Sequence, residues 1–289
     1  MSKEVSKGIT AMLCAVGVFA VMDATLKHLA ALYPPLQVSC LRGLTSIPFF
    51  LLVVALVGGW RTLIPLRWSE HVARGLLAIT MLWTFIYAVG HLPLGTAYGI
   101  FLCSPLLITA LSAVFLRDHV GLHRWLAVAC GLVGVLVILR PGGGDVITLA
   151  GIAAFGSALC YAISAVMIRK MSRTESTLSI GMSFMVMVSI GTGAIAYANW
   201  IPVQGKQLPW LLLLGLTGAV GQYLIIYAFR CAPPSVIAPF EYTAILWGLT
   251  LDWVLWSTVP NARVLIGAAV VVSSGLYVIY REHWAVRPA

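Results

Sequence analysis

Tyr87-Ala88-Val89-Gly90-His91-Leu92-Pro93 closes one apolar run of this chain, and Tyr227-Ala228-Phe229-Arg230-Cys231-Ala232-Pro233 closes another 140 positions later. Near the start, Gly8-Ile9-Thr10-Ala11 and Lys27 recur at an offset of 143 as Gly151-Ile152-Ala153-Ala154 and Lys170. The two offsets differ by three residues, so the first half of the chain maps onto the second in consistent order. Around them lie about ten apolar stretches, at roughly 9–29, 36–57, 70–90, 95–116, 122–139, 149–171, 178–198, 209–230, 235–256 and 263–280. Each is long enough, at about 1.5 Å per residue, for a helix to cross a hydrocarbon core of about 30 Å. The polar–apolar alternation that an outer-membrane barrel needs is absent. The expected fold is an all-α integral membrane protein of ten transmembrane helices, with five-helix repeats at 1–143 and 144–289. Five is odd, so the second repeat enters the bilayer from the opposite side and the pair has inverted topology.

Composition agrees with that reading. Of 289 residues, 61% are hydrophobic and 9% charged, where soluble domains carry about 25% charged residues. The formal net charge of +9 sits at the ends of apolar runs, which points to membrane topology and away from a nucleic-acid partner. Lys3, Lys7, Arg61, Arg67, Arg74, Arg117, Arg124, Arg169, Lys170, Arg173, Arg230, Arg281 and Arg287 fall on the side of the N-terminus. The other side has Lys27, Arg42, Arg140, Lys206 and Arg263. The basic side is expected to be cytoplasmic, with both termini on it. Lys3 and Lys7 precede an apolar run as in a signal peptide, but no small-residue cleavage site follows, and the run is read as the first span. Cys14, Cys40, Cys103, Cys130, Cys160 and Cys231 show no C-x-x-C spacing and read as small packing residues.

The two five-helix halves resemble the drug/metabolite transporter superfamily, in particular the ten-helix EamA-type exporters. Tyr87 through Ala97 is similar to that family's junction between third and fourth helices. Gly131-Leu132-Val133-Gly134-Val135 is similar to its small-residue fifth helix, and Arg140-Pro141-Gly142 closes the first half in the same manner. A narrower resemblance is to the bacterial aromatic and broad-range amino acid exporters of the YddG type. The resemblance implies a secondary transporter that exports small metabolites, amino acids including aromatic ones among them. It also implies a multi-pass location in a bacterial inner membrane, with no cofactor. Inverted halves can exchange conformations, so alternating access at a site between the repeats is expected, and ten helices with two at the rear suffice as a monomer.

Candidate site residues follow from helical spacing. Thr80, Trp83, Thr84 and Tyr87 stand at i, i+3, i+4 and i+7 and form one polar, aromatic stripe. The equivalent positions in the second half include Tyr223 and Tyr227, so both halves offer a pair of large rings for a pocket. Aromatics also populate interfacial belts, which is the competing reading. Tyr161 shares a face with Ser157 and Ser164, and Gln222 adds a hydrogen-bonding group; these suit a polar pocket or interhelical glue of about 0.6 kcal/mol each. Glu241, with Pro239 and Tyr242 beside it, is an acid inside an apolar run, where insertion costs roughly 2.5 to 3.5 kcal/mol. It can bind a substrate ammonium, exchange a proton, or bond a backbone group that Pro239 frees. Asp23 can pair with Lys27 at i+4 or serve as a cation or proton site, and Arg42 can neutralise Asp23 or meet a substrate carboxylate. Asp252 reads as interfacial, with Arg263 as a partner. Tyr98, Gly99 and Pro105 mark a bend in the fourth span, so Gly99, Pro105 and Pro239 are hinge candidates. Gly131, Gly134, Gly267, Ser274 and Gly275 place the fifth and tenth helices as scaffold at the rear.

The six histidines lie at segment ends with no H-E-x-x-H, and no G-x-x-x-x-G-K-[ST] occurs, so metalloprotease chemistry and ATP hydrolysis are not expected. The expected partners are the lipid bilayer, a small-molecule substrate and, as a coupling ion, protons; no metal is expected. The alternatives are export of another metabolite or drug, and a non-transporting membrane scaffold.

Overall fold

The computed structural model describes residues 3–92, 94–118, 120–139, 148–247, 250, 254 and 262–284. The described elements are helical: α1 (Lys3–Ala30), α2 (Pro35–Val53), α3 (Trp68–His91), α4 (Leu94–Phe101), α5 (Ser104–Phe115), α6 (Leu122–Leu139), α7 (Leu149–Met171), α8 (Thr177–Ala196), α9 (Leu208–Cys231), α10 (Pro234–Ile237) and α11 (Ala262–Trp284). Six of these are long and apolar enough to cross a membrane. Pro93, Arg140 to Gly142, the 143/144 boundary and Asp252 lie outside the described residues, as does the side chain of Arg263.

Local chemistry sets the ends of the helices. Thr148 caps α7 by accepting the Gly151 N–H at 3.1 Å, and Ser176 caps α8 by accepting that of Ser179 at 2.9 Å. Proline in the first turn starts α2, α5, α9 and α10, where its missing N–H costs nothing. Beyond α2 the chain passes through a π turn, Val54–Gly58, which Gly59 terminates at φ 65°.

Two spans are broken, and at matching places. The first stops at Phe101 and restarts at Ser104, with Pro105 in the new first turn. The second runs as α10, tightens into a 3₁₀ segment over Ala238–Thr243, and resumes as a helix at 244. Pro239 lies in the first turn of that 3₁₀ segment, and Gly99 is helical within α4.

Helix pairing is specific. α1 packs on α9, α3 on α7, α2 on α8 and α9, and α6 on α11, while α5 touches α10 and the 3₁₀ segment. Close approaches rest on small residues. A Cβ on Gly215 would stand 2.6 Å from the carbonyl carbon of Thr45, and one on Gly134 would meet the Gly267 carbonyl at 2.9 Å. Ser274 also donates to the Ala127 carbonyl at 2.5 Å, which ties α11 to α6.

The core differs between the two ends of the bundle. Where α1 begins and α11 ends, a large buried cluster including Ile9, Met12, Ile108, Ile168, Ile180, Phe229, Val236, Phe240 and Val278 joins α1, α5, α7, α8, α9, α10, the 3₁₀ segment and α11, and a smaller one of Phe50, Val54, Leu178, Met185 and Ala219 joins the end of α2 to α8 and α9 beside it. At the opposite end the packing divides. Met22, Leu29, Tyr33, Val38, Leu41, Leu211 and Leu214 join α1, α2 and α9, whereas Ala88, Leu92, Ala97, Ile100, Ala150 and Ala154 join α3, α4 and α7.

Candidate functional site

The break in the second discontinuous span delivers Glu241 to the interior. Its side chain is buried, and Oε1 accepts a hydrogen bond of 3.0 Å from the Tyr161 hydroxyl of α7. A carboxyl at such depth needs a donor, and α7 supplies one.

A line of rings leads from this pair toward the divided end. Tyr161 lies 5.8 Å from Phe101, Phe101 lies 5.2 Å from Phe85, and Phe85 meets Tyr98 edge-on at 5.3 Å. Separations of this kind are favourable for aromatic pairs, so α3, α4 and α7 hold the wall in place. The hydroxyl of Tyr98 is within electrostatic range of Asp23 on α1, which in turn feels Arg42 on α2. Among the described ion pairs none joins Asp23 to Arg42.

The face of α1 that carries Asp23 is informative. Lys7, Thr10, Cys14, Val21 and His28 are exposed along one side of the helix. At about 100° per residue, Asp23 is exposed on the other side, with Lys27 one turn further along. An accessible carboxylate on the inward face of a bundle helix lines a cleft between helices.

The paired stripes expected from the sequence fall elsewhere. Thr80 and Trp83 are exposed on the face of α3 that also carries Val72 and Leu76, with Tyr87 on the same line and Thr84 bonding back to the Thr80 carbonyl at 2.8 Å. Trp83 is 59% exposed, as freely as Leu76 at 56%. Tyr223 follows Leu212, Leu216 and Val220 on the outer face of α9 and stacks on Tyr227 at 6.3 Å. Together with Lys7, Thr10 and Cys14 these tyrosines line an open groove of about 520 Å³ between α1 and α9. The structure therefore does not bring Trp83, Tyr223 or Tyr227 to Glu241. Gln222 is buried on the opposite face of α9. Tyr242 is buried against Gly131 and Val128 of α6 and Val271 of α11, and its hydroxyl has no partner among the described residues. A second open groove, about 700 Å³ between α6 and α11, is almost wholly apolar and belongs to the outer surface.

Several polar groups went unrecognised in the sequence. Arg74, expected as a cation at the membrane edge, is buried in α3. Its Nε donates to Ser164 Oγ at 3.2 Å, its Nη1 donates to the Ile180 carbonyl at 3.0 Å, and the guanidinium lies 4.6 Å from the centre of the Phe184 ring. Its position one turn inside an apolar run was the available signal. Nearby, Glu175 Oε1 accepts the N–H groups of Leu66 and Arg67 at 2.7 and 2.9 Å, and His71 Nδ1 is 2.5 Å from Ser183 Oγ. Arg169 donates to the carbonyls of Phe229 and Arg230, and Arg124 reaches Ser235 Oγ at 3.3 Å. All of these bonds lie at the end where α1 begins, so polar links add to the packing there. Among the described residues no cluster of His, Cys, Asp and Glu could hold a metal ion.

Apolar helices of spanning length, two broken spans and an interior polar line define the class as a multi-pass membrane protein that moves small molecules. The chain belongs to the EamA-like transporter family, whose profile matches residues 6–140 and again residues 148–281. It is similar to a riboflavin transporter of Vibrio cholerae, 26% identical over 281 residues that span 96% of this chain and 94% of that protein. It is also similar to a pseudopaline exporter of Pseudomonas aeruginosa, 24% identical over 88% of this chain and 89% of the exporter. An S-adenosylmethionine uptake transporter of Rickettsia felis is 25% identical over 78% of this chain and 76% of its own length. A solved crystal structure, 16% identical, matches 99% of this chain and 100% of that one with a TM-score of 0.85, which shows a shared fold.

Proposed function

We propose that this protein exports small metabolites, aromatic and other amino acids among them, across a bacterial inner membrane by alternating access. The observation that carries the reading is the aromatic line from Tyr98 to Tyr161, which ends on Glu241 between elements of the two halves. It leads from the end with divided packing toward the large buried cluster. A solute entering along it passes Tyr98, Phe85 and Phe101 before it reaches Glu241.

Helix pairing supports an inverted repeat of ten spans, counting α4–α5 as the fourth and the segment from Pro234 through 247 as the ninth. The contact of first with eighth span has its counterpart in that of sixth with third. The second pairs with the seventh, the fourth with the ninth and the fifth with the tenth, so exchanging the halves returns the same set of contacts. Two bundles related in this way can swap open and closed ends by rocking, with Gly99, Pro105 and Pro239 at the breaks as the hinges. In this reading both termini are cytoplasmic, a monomer suffices, and protons couple through Glu241 or Asp23. The names of the relatives favour a second reading, in which the solute is a larger ring system such as riboflavin or S-adenosylmethionine.

Counterflow into liposomes tests this directly. Purified protein is expected to exchange labelled phenylalanine without ATP, and the same assay is run with leucine, riboflavin and S-adenosylmethionine. Exchange of riboflavin alone would replace the amino acid assignment; absence of exchange for the whole panel would remove the transport reading.

A further inference from the structure

Two opposite charges stand near each other at the divided end without closing on one another. Each costs about 2.5 to 3.5 kcal/mol to place in the membrane, and direct pairing would offset much of that. Yet Asp23 and Arg42, close enough to interact electrostatically, are joined by no ion pair among those described. The guanidinium of Arg42 lies 5.7 Å from the centre of the Phe19 ring on α1, and its stem is closely packed against α9, where a Cβ on Gly218 would stand 3.5 Å from Cγ. Its Nε is buried with no hydrogen-bond partner among the described residues, a condition that costs about 1–3 kcal/mol. Asp23 is accessible on the inward face of α1, with the Tyr98 hydroxyl in range and the ring of Phe85 packed edge-on against Tyr98.

We infer that Asp23 and Arg42 are the two poles of a head-group site for a zwitterion, with the solute's carboxylate on Arg42, its ammonium on Asp23, and its ring along Phe85 and Tyr98. A solute with only a negative charge meets repulsion from Asp23, and one with only a positive charge meets repulsion from Arg42. An α-amino acid satisfies both at once, and the guanidinium fork suits a carboxylate. This inference rests on the transport reading and assigns its recognition step.

Competition in phenylalanine counterflow is the test, using phenethylamine, which lacks the carboxylate, and phenylpropionate, which lacks the ammonium. Unlabelled phenylalanine is expected to compete about tenfold or more better than either, since each analogue leaves one desolvated charge without its partner. Asp23→Asn is expected to narrow the gap to phenylpropionate, and Arg42→Gln the gap to phenethylamine. If Arg42→Gln does not fold, the wild-type competition and Asp23→Asn decide. Equal competition by all three solutes, or an unchanged ranking in Asp23→Asn, overturns the head-group site while leaving transport intact. Failure of every solute to exchange removes the transport reading itself.

Discussion

Glu241 and Tyr161 meet in a single hydrogen bond between a broken helix and a continuous one, so each can be removed without touching the other's backbone. Glu241→Gln keeps the shape and deletes the proton site. Loss of the pH dependence of counterflow, with exchange retained, is the outcome expected if this acid carries the coupling proton; an unchanged profile makes the acid structural. Tyr161→Phe removes the donor, leaves the carboxyl with one fewer partner, and is expected to cost about 1.5–3 kcal/mol, read as a lower melting temperature in detergent. Arg74→Met is the contrasting case. It deletes two hydrogen bonds and a ring contact that tie α3 to α7 and α8, and the expected result is a destabilised bundle end there with more leak than exchange. Leak is measured as solute efflux from liposomes with no counter-substrate. Of these residues, Glu241 was legible in the sequence because an acid in an apolar run is conspicuous. Arg74 was not, because an arginine near a span's end looks the same whether it points to water or to Ser164.

Helix faces are where sequence reading and structure diverge most. Trp83 and Phe85 lie two positions apart on α3, hence on opposite sides. The spacing of Thr80, Trp83, Thr84 and Tyr87 defined a stripe but not its direction, and the structure places Trp83 outward and Phe85 on the aromatic line. In water the apolar face of a helix turns in. In a bilayer both faces are apolar, so hydrophobic periodicity loses its sign. Breaks were easier to read, since proline leaves its mark in any solvent: Pro105 sits in the first turn of α5, just after the break, and Pro239 in the first turn of the 3₁₀ segment. Close packing at this scale is testable at Gly215. A valine there must displace the Thr45 backbone, and overpacking of this kind costs about 1–3 kcal/mol. Gly215→Val is expected to lower the melting temperature, whereas Gly156→Ala, with nothing within 4 Å of a Cβ, is expected to leave it within experimental scatter.

For the whole molecule, the unequal ends carry the prediction. Accessibility labelling in a background lacking the six native cysteines compares two single-cysteine variants. Tyr98→Cys, on the wall at the divided end, is expected to react with a membrane-impermeant thiol reagent added outside the cell. Ile237→Cys, fully buried in the large cluster, is expected to remain unlabelled from that side. Labelling of Tyr98→Cys only by reagent admitted to the cytoplasmic side would show that the divided end faces the cytoplasm. Saturating phenylalanine is expected to slow labelling at position 98, because the ring of the solute competes for the same wall.

The sequence alone located the apolar helices and the prolines and acids that interrupt the pattern. Those features depend on covalent order, residue volume and the cost of leaving backbone or charge unsatisfied in hydrocarbon, all local quantities. Tertiary structure decided which face of each helix looks inward, that Arg74 is interior, and that different buried clusters pack the two ends of the bundle. These depend on contacts between segments far apart in the chain. A membrane offers no hydrophobic gradient across a helix from which such contacts could be read in advance.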